Sequence, residues 1–265
     1  MHTAPLHAVI PAAGKGARLG LNVPKILVSV ASGVTIWDVL AEKLALVADR
    51  LVVVMSPNCA PMMQKALATR PIGKPVDIAL QPEPLGMGDA VFCSHKWWRS
   101  AESLLIVWGD QVHVSADTLR ASITAHLAAP SPSLTIPIVR LKNPYVEYVF
   151  DSVGRLVAVR QSREGDVCST RGWGDVGTFL LSTLGLEEAW REHLSSRPVG
   201  ALTGELNFLP FMVYLSQDKH WPVRRVIVDN IDEARGINTI EDLTFFQKLY
   251  ANGIHDAHSK HAKQA

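Results

Sequence analysis

The feature that most restricts this chain is an alternation. Over roughly the first 140 residues, short apolar runs rich in β-branched residues take turns with amphipathic stretches at helical spacing. LHAVIP (Leu6 to Pro11), RLVVVMS (Arg50 to Ser56), VDIALQ (Val76 to Gln81), LLIVWGD (Leu104 to Asp110) and SLTIPIV (Ser133 to Val139) read as strands. TIWDVLAEKLALVA places Ile36, Leu40, Leu44 and Val47 on one helical face. PMMQKALATR, MGDAVFCSHKWW and ADTLRASITAHLAA continue the helical series. Strands and helices in strict turn imply βαβ units and a mostly parallel sheet. Ligands of such sheets bind beyond the carboxyl ends of the strands. The loop after Pro11 and the Gly109-Asp110 turn both sit at such ends.

The second half changes character. YVEYVFD and GRLVAVRQ form a predicted hairpin with Asp151 to Gly154 as its turn. GDVGTFLLS (Gly174 to Ser182) reads as one strand and LGLEEAWREHLSS as a helix. Thr203 and Gly204 precede ELNFLPFMVYLSQ, an expected capped helix that Pro210 bends near its start. WPVRRVIVDN is a further strand, and Thr239 caps a closing amphipathic helix in GINTIEDLTFFQKLY. With no linker or repeat in view, residues 1–252 are expected to form one domain and 253–265 a frayed tail.

A net charge of +1 argues against a broad basic surface for nucleic acid, so any anion site must rest on a few concentrated cations. Cys59, Cys93 and Cys168 are too scattered for a disulfide framework or a zinc cluster. No basic n-region precedes a long apolar core, and no apolar run approaches the ~20 residues of a membrane helix. The expectation is a cytoplasmic protein without a membrane partner. Nothing in the sequence sets an oligomeric state.

The strongest motif is AAGKGARLGLNVPK, Ala12 to Lys25. Gly14 and Gly16 allow a sharp turn whose N–H groups can approach phosphate oxygens. Lys15, Arg18 and Lys25 concentrate three cations there, as a triphosphate requires. A Walker A loop would continue Gly-Lys-Ser/Thr, whereas Gly14-Lys15 is followed by Gly16. A dinucleotide fingerprint would need a third glycine where Leu19 stands and an acidic residue where the second strand ends at Met55-Ser56.

This loop resembles the signature of the sugar-phosphate nucleotidyltransferases, most closely the uridylyltransferase half of the bifunctional N-acetylglucosamine-1-phosphate enzyme. The likeness continues in order through QPEPLGMGDA (Gln81 to Ala90), VWGD (Val107 to Asp110), GRLVAVRQ, GDVGTFLL and RGIN (Arg235 to Asn238). It implies a Rossmann-like three-layer α/β/α fold with a mostly parallel sheet and a small β-hairpin region for the acceptor. It also implies transfer of NMP from an NTP, UTP or another pyrimidine nucleotide, to a sugar 1-phosphate or related phosphorylated acceptor. Nucleotide contacts would come from Ala12, Ala13, Gly14, Lys15, Gly16, Gln81, Pro84, Gly86, Met87 and Gly109. Arg18, Lys25 and Asp110 would be catalytic, and Asp110 with Asn238 would hold Mg²⁺, a hard ion suited to oxygen ligands. The Gln81 amide can both donate and accept, which fits a pyrimidine edge.

The acceptor side departs from that pattern. An acidic residue of the family is replaced by Arg160, its Asn by Asp175, and a Thr by Met87, while Gly154 keeps a sugar-contacting glycine's place. Arg160 suits a carboxylate, phosphate or phosphonate. The expected acceptor set is therefore Gly154, Arg160, Asp175 and Glu147, with Tyr145, Tyr148, Arg163 and Glu164 nearby. A cytidylyltransferase for a phosphonate or phosphorylated alcohol is the alternative. A glycosyltransferase lacks support because Asp110-Gln111-Val112 is no Asp-x-Asp motif, and a nucleotide sensor would have no need of both Lys25 and Asp110. No hexapeptide repeat is present, so acetyl transfer is not expected.

Overall fold

The computed structural model describes residues 5–14, 23–196 and 199–251. Its first half runs β1 (Leu6–Pro11), β2 (Ser29–Ala31), β3 (Val34–Thr35), α1 (Ile36–Ala45), β4 (Arg50–Met55), α2 (Ala60–Thr69), β5 (Val76–Leu80), α3 (Met87–Cys93), α4 (His95–Trp98), β6 (Ser103–Val107), α5 (Ala116–Leu127) and β7 (Leu134–Lys142). Then follow β8 (Val146–Phe150), β9 (Leu156–Gln161), β10 (Arg171–Asp175), β11 (Thr178–Ser182), α6 (Leu186–Ser196), α7 (Phe208–Gln217), β12 (Val223–Val228) and α8 (Ile240–Ala251).

One ten-stranded sheet carries the order β5-β4-β1-β6-β11-β7-β10-β8-β9, with β12 paired to β7. The strands β1, β4, β5, β6, β7, β8 and β12 share one direction, and β9, β10 and β11 oppose it. The central strands are apolar on both faces because both are covered. Ala8 and Ile10 of β1, Leu51, Val53 and Met55 of β4, and Leu105 and Val107 of β6 pack in one core with α1, α2, α5 and α8. Val9, Val52, Val54, Leu104 and Ile106 point the other way, into a core with α3, α4, α6 and α7. This period of two across three strands produces the three-layer α/β/α architecture expected from the sequence.

Local chemistry sets the helix ends. Thr35 and Asp38 form a reciprocal capping box at α1. Thr239 and Asp242 exchange the equivalent bonds at α8, at 3.0 and 3.2 Å, so Thr239 caps as expected. Three expectations change. The cap of α7 is Asn207, whose side chain accepts from Leu209 N, and Pro210 lies in the first turn where its missing N–H is not needed. MGDAVFCSHKWW divides at Ser94, whose hydroxyl donates to Val91 O at 2.7 Å and draws the chain out of α3.

The third change positions the site. GDVGTFLLS is not one strand: it breaks at Val176-Gly177 into β10 and β11, with Gly177 at φ +70°. Both pieces still run antiparallel to β7, but Asp175 pairs with Ile138 while Leu180 pairs with Thr135. Two extra residues therefore bulge from the ladder. Beyond the bulge β11 stays with β6, whereas β10 leaves with β8. The sheet splits there, and the split opens beside the carboxyl end of β6.

Candidate active site

A cavity of about 640 Å³ fills this split. Its floor begins at the end of β1, where Ala12 N donates to Val54 O at 2.9 Å and Ala12, Ala13 and Gly14 turn into the opening. Lys15, Gly16 and Arg18 lie outside the described residues. Lys25 returns to the floor in a single helical turn after Pro24. Gly109 is confined by the end of β1: a Cβ there would meet Pro11 O at 2.8 Å and Ala12 Cβ at 3.3 Å. Only glycine lets the two strand ends approach so closely.

Three of the sequence-predicted groups converge on this floor. Lys25 Nζ donates to Asp110 Oδ2 at 2.8 Å and to Asn238 Oδ1 at 3.0 Å. Two oxygens from segments far apart in the chain thus share one cation. An ammonium bridging a carboxylate and an amide oxygen marks a place suited to a hard cation, and that donor set fits Mg²⁺. Among the described residues no group of three or more His, Cys, Asp or Glu side chains gathers.

A buried frame holds the two oxygen-bearing segments together. Ile237 N donates to Asp110 O at 3.0 Å. Gln111 Nε2 reaches Glu233 O at 2.7 Å, and Ser115 N donates to Glu233 Oε2 at 2.9 Å. Lys43, from α1, donates to Val112 O at 2.6 Å and Val114 O at 2.9 Å. Burial pushes the Lys43 ammonium down to about 8, opposed by the charges of Glu233 and Glu42. Glu233 itself is only 5% exposed. The Glu233 charge offsets part of the cost of burying Lys43.

At the other end of the cavity stand Gln81, Pro84, Gly86 and Met87. Gln81 is 4% exposed, and its Nε2 donates to Gly86 O at 3.0 Å and Asp89 Oδ2 at 2.8 Å. Gly86 has φ +115°, and a Cβ there would press on Glu205 Cβ at 2.8 Å. Leu206 N donates to Leu85 O, and Gly88 N to Leu206 O, so this wall is stitched to the segment before α7.

The expected acceptor set divides between the cavity and the far side of the hairpin. Asp175 lines the cavity, and its Oδ1 accepts from Gly177 N at 2.6 Å. Burial raises its carboxyl above the usual range, and the Asp110 charge adds to this. Glu147, Arg160 and Gly154 are not among the cavity-lining residues. Adjacent residues of a strand face opposite ways. Val146 and Gln161 face the cavity, so their neighbours Glu147 and Arg160 face out. There Arg160 Nη1 donates to Glu147 Oε2 at 3.1 Å, and Ser169 N to the same oxygen at 2.9 Å. Gly154 occupies the hairpin turn beside Arg225. Tyr148 is core, Glu164 accepts from Leu202 N and Thr203 N in the neighbouring loop, and His113 packs edge-on against Phe246.

Sequence reasoning passed over Gln161 and Asn207, although both line the cavity. Asn207 Nδ2 donates to Gln161 Oε1 at 2.9 Å, which orients the Gln161 amide. Trp108 and the Arg163–Glu205 pair, at 3.0 Å, complete this wall. Gln161 shares the cavity face with its cross-strand partner Val146, a pairing that only the register of β8 and β9 reveals.

The MobA-like NTP transferase domain family matches residues 8–197, a span that includes the floor loop, Gln81, Asp110 and Asp175. The chain belongs to that family. It is 26% identical over 248 residues to the bifunctional protein GlmU of Xylella fastidiosa (strain M23), covering 93% of this chain and 51% of that protein. GlmU of Mycobacterium tuberculosis (strain ATCC 25177 / H37Ra) is 32% identical over 142 residues, 52% of this chain and 28% of its own. The chain therefore spans about half the length of the Xylella relative, or less for the mycobacterial one. HddC from Yersinia pseudotuberculosis shares the fold, with a TM-score of 0.65 at 20% identity over 92% of this chain and 99% of that one.

Proposed function

We propose that this NTP transferase domain moves NMP from UTP, or another pyrimidine NTP, to a sugar 1-phosphate or related phosphorylated acceptor and releases pyrophosphate. The observation that carries the reading is the convergence of Lys25, Asp110 and Asn238 on one point of the cavity floor, beside Ala12, Ala13 and Gly14. An acceptor phosphate oxygen attacks the α-phosphorus, the bond to the β-phosphate oxygen breaks, and pyrophosphate leaves in line. A phosphate dianion needs no general base near neutral pH.

Ala12, Ala13, Gly14 and Gly109 shape the floor that the phosphates approach, with Lys15, Gly16 and Arg18 assigned to the same triphosphate. Lys25 turns from Asp110 and Asn238 towards the phosphates, where its ammonium offsets the charge that gathers in the transition state. Mg²⁺ held by Asp110 and Asn238 would supply charge neutralisation to phosphate oxygens. Gln81, with Pro84, Gly86 and Met87, receives the base. Asp175 accepts from an acceptor hydroxyl, and Gln161 Nε2 donates to another.

The phosphonate cytidylyltransferase reading rested on the altered acceptor residues, and its support weakens because Arg160, the one suited to a phosphonate, is engaged by Glu147 and does not line the cavity. A hydroxyl-rich acceptor suits Asp175, Gln161 and Asn207 better. No described helix is long and apolar enough to cross a membrane; a cytoplasmic enzyme without nucleic-acid partners is part of the same proposal. The test is Mg²⁺-dependent pyrophosphate release with UTP, CTP, dTTP, ATP and GTP against pooled sugar 1-phosphates and phosphonates. Release requiring one pyrimidine NTP and a sugar 1-phosphate pool is expected. Release confined to a phosphonate pool would overturn the acceptor assignment.

A further inference from the structure

Asp89, in the first turn of α3, fixes the orientation of the Gln81 amide at the cavity wall. A glutamine amide is nearly symmetric in shape, so its oxygen and nitrogen can exchange places unless hydrogen bonding forbids it. Around Gln81 it does. Nε2 faces Gly86 O at 3.0 Å and Asp89 Oδ2 at 2.8 Å, two atoms that only accept. Turning the amide over would set Oε1 against a carbonyl and a carboxylate oxygen in a site that is 4% exposed. Low dielectric magnifies that repulsion. Both amide hydrogens are thus engaged, and Oε1 accepts no hydrogen bond from the described residues.

We propose that Asp89 is a specificity-determining positioning residue: by holding the Gln81 amide one way round, it makes Gln81 present only an acceptor to the nucleobase. The inference rests on the reading of this cavity as an NTP site. A base is then admitted by an N–H at the read position. Uracil carries one at N3, where cytosine carries a lone pair, and lone pair against lone pair in a dry pocket is costly. Asp89 sits in the first turn of α3, a position from which its side chain reaches Gln81 but does not line the cavity. It acts through Gln81 rather than on the nucleotide.

Asp89→Asn is the test. Asparagine keeps the size of the side chain but can donate as well as accept, so the reversed Gln81 amide gains a donor at one of its two contacts and is opposed only by Gly86 O. UTP and CTP are compared by kcat/KM and by equilibrium binding, with the thermal midpoint measured in parallel. Wild type favours UTP, and Asp89→Asn lowers the UTP-to-CTP ratio about tenfold, chiefly through KM, while kcat with UTP is kept. Gln81→Ala lowers the same ratio and gives the limit of lost reading. A merely structural Asp89 would weaken both nucleotides in parallel and leave the ratio unchanged, which would overturn the inference. A wild-type preference for CTP would overturn it as well. If wild type binds no nucleotide at all, the NTP reading of the cavity fails first. If it binds UTP selectively and Asp89→Asn preserves the selectivity, only the role of Asp89 fails.

Discussion

The floor and the acceptor wall of this cavity are built differently. Floor groups stand at chain turns whose backbones are tied to one another, Ala12 to Val54 and Ile237 to Asp110, above a frame in which Lys43 Nζ holds the Val112 and Val114 carbonyls. The acceptor wall is assembled from a hairpin, a bulged strand and the segment before α7, joined through side chains such as Asn207 and Gln161. A floor tied through the backbone suits the task proposed for it, the handling of phosphates. A wall fixed by side-chain bonds can change its ligand with few substitutions, and specificity belongs there.

The largest effect expected from this contrast is at the floor. Asp110→Ala should lower kcat by about 1000-fold or more, with the thermal midpoint nearly unchanged, because its ion pair with Lys25 is partly solvated. Steady-state kinetics and calorimetry on the same preparation check both halves. The frame beneath should behave in the opposite way: Glu233→Ala leaves the buried Ser115 N without its acceptor and removes a charge that favours the Lys43 ammonium, and denaturant unfolding should report a loss of about 2 kcal/mol.

At the wall, Gln161→Ala and Asp175→Asn should each raise KM for the acceptor about tenfold and leave KM for the NTP within about twofold. A parallel rise in both constants would erase the division between the regions. A smaller, pH-dependent effect follows from the raised Asp175 carboxyl. Its ability to accept grows as the pH climbs through a value above the ordinary aspartate range, so acceptor KM should fall by a few-fold on that rise. In Asp175→Asn the dependence should disappear. The smallest change is expected for Arg160→Ala, under about twofold in acceptor KM, since Arg160 faces Glu147. A large loss there would restore Arg160 to the acceptor site.

The same contrast explains what could be read from the sequence. The floor loop is contiguous, and Asp110 follows closely on an unmistakable buried strand, so their places stood out in the chain; the roles of these residues and of Asn238 came through the family resemblance. The wall was harder to read because the pairing of β8 with β9 shifts register between Val149 and Phe150. That irregularity resets the alternation along β9, so the burial of Leu156 does not tell which of Arg160 and Gln161 faces inward. Val176-Gly177 concealed a strand break in the same way. Lys43 looks like any solvated lysine of an amphipathic helix; only the carbonyls of Val112 and Val114, far along the chain, bury it. Glu233 lies in a short turn with no pattern of its own.

The most direct test of the central claim is pyrophosphate release from UTP with Mg²⁺ and a sugar 1-phosphate pool, measured side by side for wild type and Asp110→Ala. Release by wild type that requires both substrates, and its loss in a folded Asp110→Ala protein, is the predicted result. Equal release by the two proteins would contradict the assignment of this floor to catalysis, and nucleotide binding without release on any acceptor pool would contradict the transferase reading itself.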